Sequence, residues 1–409
     1  MNHRWKLFAM MVLQFFVWGA WVPPLFDIMQ GLGFSGAEQS AIGSCFAIAS
    51  IVGLFFSNQF ADRTFAAERF LAASHLIGGL ALVGLYFTTS FVPFFLLMLV
   101  HSLVYVPTIS VTNSLAFANL EDPQNEFGLV RMGGTIGWIL AAWPLYFVLK
   151  GVPDAEALAA KRTVFLVAGV AALLLAGFAR TLPHTPPKPA AGAEDRWASL
   201  KAAKLLKAPF LLVLFVVTFV DATIHNGYFV MAFTFLDKVG FAPGEIMPVM
   251  SIGQVAEILT MAGLGYALKG LGWRWTMTLG VLGHAARFAV FAYSKDHTTI
   301  MVVQVLHGIC YAFFFATVYI FIDAHFPKDV RTSAQGLFNL LILGLGDLAA
   351  KWLFVPLQAK FTNGNGVVDY RSLFVWPTGM ALAAAVLLAV AFHPPATAER
   401  GEGGNTLPH

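Results

Sequence analysis

Twelve apolar stretches, each long enough to cross a lipid bilayer, constrain this chain more than any other feature of its sequence. A helix needs about 20 apolar residues to span the hydrocarbon core, where only helices and closed barrels satisfy every backbone hydrogen bond. Only 11% of the residues are charged, against about 25% in soluble domains. We therefore predict an all-α membrane protein with twelve transmembrane helices. The stretches cover residues 7–30, 37–60, 69–88, 93–117, 129–149, 162–182, 208–236, 246–268, 273–293, 299–323, 333–357 and 371–393.

The stretches form two sets of six around a polar segment rich in proline and charge. Such a segment is typical of a linker. We predict an N-terminal six-helix bundle (1–182), a cytoplasmic linker (183–207), a C-terminal six-helix bundle (208–393) and a disordered cytoplasmic tail (394–409). Lys and Arg are concentrated in the loops that share a side with both termini, which places the termini in the cytoplasm.

The two halves also resemble each other at corresponding loops. Asp62 and Arg63 follow the second stretch, and Lys269 and Arg274 follow the eighth. Charged loops at equivalent positions are expected of parallel repeats, whose solute site lies at the interface of the repeats.

Gln254 and Glu257 are the most informative polar pair, because they interrupt an apolar stretch that has no other charge. An ionised side chain at mid-membrane costs roughly 2.5–3.5 kcal/mol even on a lenient scale, so it usually faces a polar cavity and has a function. The spacing i, i+3 places the amide and the acid on one helix face. This face predicts a solute site with a titratable group.

Polar residues in the first and fourth stretches extend the candidate site. Gln14, Trp18 and Trp21 share one helical stripe, where an amide beside aromatic faces suits a flat heterocycle or a sugar. Trp21 is equally well interpreted as an interfacial anchor. Pro107 predicts a kink in the fourth helix, and Asn113 is either a ligand contact or a hydrogen bond between helices.

Arg131 opens the fifth stretch, with Thr135 one turn deeper on the same face. The arginine either snorkels to the cytoplasmic edge, beside glycines that permit tight helix packing, or offers a donor fork to the solute. The seventh stretch is polar enough to line a cavity, with Asp221, His225 and Asn226 close together. Asp221 and His225 are spaced i, i+4 and could pair.

The remaining intramembrane charges favour structural roles. Arg287 is expected to hold a carboxylate or carbonyl groups between helices. Asp347 and Lys351 are spaced i, i+4 and are expected to neutralise each other, with a role along the solute path as the alternative. His307 and Tyr311 in the tenth stretch are candidates for solute contact.

Other kinds of chemistry lack their necessary parts. The sequence contains no phosphate-binding Gly-Lys-Ser loop, no His-Glu-x-x-His and no nucleophile elbow, so we predict neither an ATP-driven pump nor an enzyme. Cys45 and Cys310 lie in apolar stretches without partners for a disulfide or a zinc site. We expect no metal or organic cofactor, no nucleic-acid partner and a monomer.

Several strings, in this order along nearly the whole chain, resemble the nucleoside:proton symporter family of the major facilitator superfamily. They are Leu13-Gln14-Phe15 with Trp18, Gly19 and Trp21; Tyr105-Val-Pro107-Thr108 with Asn113; Arg131-x-x-Gly134-Thr135-Ile-Gly137; Ser251-Ile-x-Gln254-x-x-Glu257; Arg287-Phe288-Ala289-x-Phe291-Ala292-Tyr293; and Ala334-Gln335-Gly336-x-Phe338. The resemblance implies a twelve-helix, proton-coupled nucleoside importer of the bacterial inner membrane. It also associates Arg131, Thr135, His225, Asn226, Gln254 and Glu257 with nucleoside binding or transport.

The chain departs from the family in the tenth stretch. Well-studied members carry an aspartate after an aromatic residue there, where this chain has Tyr311 and Ala312, and His307 stands where tyrosine is frequent. The loss of that carboxylate leaves Glu257 as the expected coupling residue.

The sequence thus predicts a secondary transporter that imports nucleosides by proton symport and alternating access. The expected solute contacts are Gln14, Trp18, Asn113, Arg131, Thr135, His225, Asn226, Gln254, Glu257, His307 and Tyr311. The alternatives are a proton-coupled or facilitative carrier for a sugar or another hydroxylated solute, and a receptor or scaffold that does not transport.

Overall fold

The computed structural model describes residues 3–53, 65–187, 208–326 and 328–394, nearly all of them in helices. The loop with Asp62 and Arg63, most of the predicted linker and all but the first residue of the predicted tail lie outside the described residues. The predicted boundaries of the bundles, linker and tail therefore stay predictions.

Helices up to residue 187 follow the predicted apolar stretches closely. They are α1 (Arg4–Trp21), α2 (Leu25–Gly31), α3 (Gly36–Val52), α4 (Ala67–Phe87), α5 (Phe91–Asn119), α6 (Pro123–Leu140), α7 (Ala142–Leu149), α8 (Asp154–Lys161) and α9 (Thr163–Ala179). Pro107 lies inside α5.

Helices from residue 208 onwards include two short π-helical segments. The α-helices are α10 (Pro209–Val239), α11 (Ile246–Tyr293), α12 (His297–Val303), α13 (Val305–Cys310), α14 (Thr317–His325), α15 (Lys328–Asn339), α16 (Gly346–Lys360) and α17 (Tyr370–Ala391). The π-helical segments are Tyr311–Ala316, between α13 and α14, and Leu340–Leu345, between α15 and α16. Such segments occur frequently at functional sites, and the first begins at the predicted solute contact Tyr311.

Ten helices in the described part of the chain are long and apolar enough to cross a membrane. Their outer surfaces carry exposed apolar side chains such as Phe87 (74%), Leu259 (71%) and Val390 (69%). In water such a surface would be unfavourable, but lipid solvates it without cost. The chain is therefore an all-α, multi-pass membrane protein.

Helix α11 has 48 residues, which at about 1.5 Å per residue is more than twice the length needed to cross a hydrocarbon core of about 30 Å. It breaks at Gly272, where φ is 70° and ψ is 177°. Because side chains with a Cβ rarely adopt this φ, glycine permits the chain to reverse direction here.

The described residues divide into two compact units, and the first comprises residues 3–53, 65–187 and 230–251. Within this unit, Lys161 at the end of α8 lies 2.8 Å from Asp27 in α2 and 3.6 Å from Asp237 near the end of α10. Lys161 is only 7% exposed. The ion pairs thus join three segments that are distant in sequence.

Close contact between α1 and α6 also belongs to the first unit. A methyl group added to Gly137 would collide with the backbone of Val12, and one added to Gly133 would lie 2.8 Å from the carbonyl oxygen of Phe8. Small residues let the helix backbones approach closely, where van der Waals contact drives association in lipid. Gly133 and Gly137 therefore pack α6 closely against α1, as one of the two interpretations of the Arg131 segment expected.

Several helices begin with polar caps at the expected membrane edges. Ser35 and Glu38 form a capping box at the start of α3. Asp296 accepts hydrogen bonds from the backbone and the hydroxyl of Thr299, and Asp369 is bonded to Ser372 in the same way. These hydrogen bonds lower the pKa of both aspartates, because they stabilise the charged carboxylate.

Candidate functional site

Gln14 is the centre of a buried hydrogen-bond network in the first unit. Its Nε2 donates to Thr108 Oγ1 at 2.8 Å, its Oε1 lies 2.7 Å from His75 Nε2, and its backbone oxygen accepts from the hydroxyl of Tyr105 at 2.7 Å. Gln14 has no exposed surface. Both ends of the amide thus have protein partners that join α1 to α4 and α5, so contact with a solute would require one of these bonds to be exchanged.

The two tryptophans of α1 have different surroundings. The ring of Trp18 is stacked on Phe46 with centroids 4.8 Å apart and meets Trp138 edge-on at 5.3 Å. Trp18 remains partly exposed, whereas Trp21 is only 3% exposed and contacts His101 edge-on. Burial argues against an interfacial anchor at Trp21, because an anchoring ring must reach the lipid headgroups.

Arg131, Thr135 and Asn113 are all partly exposed in the first unit. The Arg131 guanidinium lies 4.3 Å from the centroid of the Phe15 ring, which is a cation–π distance. Within the described residues, the Oδ1 atom of Asn113 is buried without a hydrogen-bond partner. An unpaired buried acceptor is rare, so Asn113 is well suited to accept a hydrogen bond from a ligand.

The second unit comprises residues 208–229, 252–326 and 328–394 and contains the face of Gln254 and Glu257. Gln254 is 6% exposed, and its Oε1 has no partner among the described residues. Glu257 is half-buried. A methyl group on Gly308 would collide with the backbone of Glu257, and one on Gly253 would lie 2.7 Å from Cβ of His307. The first half of α11 therefore packs directly against α13.

His225 and His307 form a stacked pair beside this helix contact. Their ring centroids are 4.9 Å apart with an interplanar angle of 28°, and Tyr311 lies 6.2 Å from His225. Asn226 uses its Nδ2 to donate to the backbone oxygens of Ala222 and Ile342, at 2.9 and 3.3 Å. The structure thus brings His225, His307 and Tyr311 together, while the donor of Asn226 ties α10 to the π-helical segment Leu340–Leu345.

Arg287 has partners other than those expected. It is completely buried, its Nη1 lies 2.5 Å from His307 Nδ1, and its guanidinium lies 4.2 Å from the centroid of the Tyr228 ring. Tyr228 in turn donates to Gln304 Oε1 at 2.9 Å. The expected carboxylate or carbonyl partner is therefore replaced by an imidazole and an aromatic face.

Asp221 pairs with His284 of α11 and not with His225. The distance from His284 Nδ1 to Asp221 Oδ1 is 2.8 Å, and both side chains are completely buried. The i, i+4 spacing made a pair with His225 possible, but Asp221 is bonded to His284 instead, because helical spacing gives no information about partners on neighbouring helices. Asp347 and Lys351 do form the predicted ion pair within α16.

His75, His284 and Gln304 were not among the site residues expected from the sequence. His284 interrupts an apolar stretch as Glu257 does, so the same argument from the cost of a polar group in the membrane would have found it. In the described part of the chain, no group of three or more His, Cys, Asp or Glu side chains is arranged to hold a metal ion.

Comparisons with known proteins agree with this architecture. The sequence matches the protein family described as Nucleoside H+ symporter over residues 1–397. The putative nucleoside transporter YegT of Escherichia coli K12 is 33% identical over 391 residues, which cover 94% of this chain and 91% of that protein. The xanthosine permease of the same organism is 26% identical over 411 residues, or 96% of each chain. The crystal structure of the nucleoside transporter NupG has a TM-score of 0.84 at 24% identity, covering 97% of this chain and 100% of that one.

Proposed function

We propose that this chain, which belongs to the nucleoside H+ symporter family, imports nucleosides together with protons by alternating access. The observation that carries the proposal is the family match over nearly the whole chain. The local chemistry supports it, because Gln254 offers an unpaired buried oxygen one turn from the carboxylate of Glu257. A nucleoside has several hydroxyl and amine donors that such acceptors can bind.

The proposed architecture is the major facilitator fold with twelve transmembrane helices in two six-helix bundles. Ten helices in the described part of the chain are long and apolar enough to cross the membrane. Two further features support a total of twelve. The break at Gly272 divides α11 into two lengths that can each cross the membrane, and the 17-residue helix α3 ends next to residues outside the described part.

The proposed solute contacts are the residues that the sequence predicted. Their surroundings support some of these residues more strongly than others. Gln254 and Asn113 are the strongest candidates for hydrogen bonds, because each has an unpaired buried oxygen. Trp18 and Tyr311 offer partly exposed aromatic faces for stacking on a base. The other proposed contacts are Gln14, Arg131, Thr135, His225, Asn226, Glu257 and His307.

Glu257 is the proposed residue at which proton and solute meet. It is half-buried against α13, and its charge disappears when it takes up a proton. A neutral side chain lowers the cost of moving the site through the membrane interior. Proton uptake at Glu257 would thereby favour the reorientation that carries the solute across.

The proposed setting is the bacterial inner membrane, with both termini in the cytoplasm. The side on which Lys and Arg are concentrated supports this orientation. We further propose that the protein works as a monomer, with a proton as the coupling ion, no cofactor and no enzymatic activity.

Uptake of labelled uridine into proteoliposomes tests the proposal. An inward proton gradient should drive uptake above equilibrium, and a protonophore should abolish the excess. Binding without any flux would favour the receptor alternative. Flux that ignores both the gradient and the protonophore would overturn proton symport and leave a facilitative carrier.

A carrier for a sugar is the second candidate, because Ala312 replaces the expected aspartate of the tenth stretch. A thermal-shift screen of purified protein against nucleosides and sugars separates the two. Stabilisation by nucleosides alone is the expected result, since a ligand that binds only the folded protein raises its melting temperature. Stabilisation by sugars alone would overturn the nucleoside assignment.

A further inference from the structure

Asp221 and His284 form a completely buried acid–base pair that is not among the proposed solute contacts. The pair joins α10 to α11, and only one carboxylate oxygen is bonded, because Asp221 Oδ2 has no partner among the described residues. A buried carboxylate with a single neutral hydrogen bond is poorly stabilised. A positively charged imidazole would stabilise it much better. The pair is therefore suited to hold an additional proton.

The nitrogen that would bind this proton follows from hydrogen-bond chemistry. An ionised carboxylate only accepts, so Nδ1 of His284 carries the hydrogen shared with Asp221. Nε2 is then the nitrogen that gains or loses the proton. The hydrogen bond between His284 Nδ1 and Asp221 does not have to break in this step, since it is present in both protonation states of the imidazole.

Two further imidazoles, those of His225 and His307, lie near this pair in the second unit. The His225 ring centroid is 5.6 Å from that of His284 and 4.9 Å from that of His307. His225 is partly exposed and its Nδ1 has no partner in the described part of the chain. His225 is thus the partly exposed imidazole that lies next to His284.

The contact with Arg287 fixes the protonation state of His307 and so distinguishes this ring from those of His225 and His284. A guanidinium only donates hydrogen bonds, so the Nδ1 of His307 that it contacts must accept and His307 is neutral. His225 and His284 are left as the two imidazoles able to carry the proton. The ionisable groups around the pair are Arg287 on α11, His225 on α10, His307 and Cys310 on α13, and the ion pair of Asp347 and Lys351 on α16.

We propose that the Asp221–His284 pair is a second proton-binding station, filled through His225, that the coupling proton occupies in addition to Glu257. This proposal rests on the proposed proton symport. It gives a role to Asp221 and His284, to which the family resemblance assigned none. Histidine and carboxylate chains of this kind carry protons through membrane proteins.

The test uses the full-length protein and the variants Asp221→Asn and His284→Gln in proteoliposomes. An inward gradient of about one pH unit supports about tenfold accumulation of nucleoside at one proton per solute. We expect both variants to exchange labelled uridine for unlabelled uridine at close to the wild-type rate, while their accumulation ratio falls from about tenfold to about one.

Asp347→Asn combined with Lys351→Gln is the matched control, because it removes another buried carboxylate from the same unit without leaving an unpaired buried charge. It should accumulate uridine as the wild type does. If the control lost accumulation of uridine to the same extent, the proposal would be overturned, because the removal of any buried carboxylate would then have this effect. Full accumulation by both test variants would also overturn it, whereas a wild type that never accumulates uridine would instead refute proton symport itself.

Calorimetry in buffers of different ionisation enthalpy provides a second measurement that needs no transport. It counts the protons that the purified protein takes up or releases when uridine binds. We expect this number to change in His284→Gln relative to the wild type and to stay unchanged in the double variant Asp347→Asn with Lys351→Gln. An identical number in all three proteins would contradict a proton station at the pair, and the measurement remains possible if Asp221→Asn does not fold.

Discussion

At the scale of single residues, buried amides in this protein fall into two groups. Gln14 is bonded at both ends, to Thr108 and His75, and so contributes to helix association. Gln254 is nearly as buried but leaves its oxygen without a partner in the described part of the chain. An unpaired buried acceptor is unfavourable in the empty protein, so Gln254 should gain more than Gln14 when a solute arrives.

Gln254→Ala is expected to weaken nucleoside binding while the protein remains folded. A hydrogen bond to a desolvated partner is worth about 1–3 kcal/mol, which corresponds to roughly 5- to 150-fold in the dissociation constant. Isothermal titration calorimetry measures this change.

Gln39→Ala is the matched control for that experiment. Gln39 is also a buried amide, but it donates to the backbone oxygen of Phe34 at the start of α3. Its loss should lower the melting temperature without changing the affinity. An unchanged affinity in Gln254→Ala would remove Gln254 from the site.

At the scale of helices, glycines decide how closely the elements of each unit approach. Gly137 lets α6 contact α1 in the first unit, and Gly308 lets α13 contact α11 in the second. The second contact bears on function, because it lies at the backbone of Glu257. A larger residue at Gly308 would displace both helices and the proposed solute contacts with them.

Gly308→Ala is expected to destabilise the protein by about 1–3 kcal/mol, the usual effect of overpacking a close contact. Thermal unfolding of purified protein measures the effect. Gly263→Ala on α11 is the control, since a methyl group there meets nothing within 4 Å. That control should be neutral or stabilising by up to about 1 kcal/mol, because alanine is the better helix former. Equal behaviour of the two variants would show that the close contact is unimportant.

The ion pairs of Lys161 give a second prediction about helices. Lys161→Gln leaves Asp27 without its closest cation, while Asp237 retains Lys238 at 3.5 Å. Breaking a buried pair destabilises by about 3–5 kcal/mol, so we expect a clear drop in the melting temperature.

Asp27→Asn introduced together with Lys161→Gln should recover most of that loss, because no unpaired charge then remains. Lys238→Gln is the control, since this side chain is 62% exposed and surface pairs contribute about 0–1 kcal/mol. If the double variant were no more stable than Lys161→Gln alone, the stability of this region would not depend on the charge of Asp27.

At the scale of the whole molecule, proton and solute must be linked so that neither crosses alone. The proposed link is Glu257, whose protonation removes a charge from the membrane interior. The linkage requires that the protonated transporter binds the solute and reorients more readily than the deprotonated one. A neutral analogue of Glu257 should therefore separate transport from coupling.

Glu257→Gln is expected to bind uridine and exchange it across the membrane but not to concentrate it under an inward proton gradient. The amide preserves the size of the side chain and resembles the protonated acid. Counterflow and gradient-driven uptake in proteoliposomes measure the two activities separately. Concentrative uptake at the wild-type level would exclude Glu257 as the coupling residue.

The sequence by itself determined the class of protein and the approximate position of nearly every helix. This was possible because a membrane span is a local property: a backbone in lipid must bond within its own helix, and about 20 apolar residues are needed to cross. The internal ion pair of Asp347 and Lys351 was predictable for the same reason, since both residues lie on one helix. The polar face of Gln254 and Glu257 likewise follows from helical spacing alone.

Only the tertiary structure decided which helices these faces meet. Asp221 contacts His284, 63 positions away, and Gln14 contacts His75, 61 positions away. Helical spacing indicates the direction in which a side chain points from its own axis, but it contains no information about which residue a neighbouring helix presents there. That choice depends on the approach of whole helices at glycines such as Gly308 and Gly137, because a polar group buried in the membrane bonds to whichever partner lies within about 3 Å.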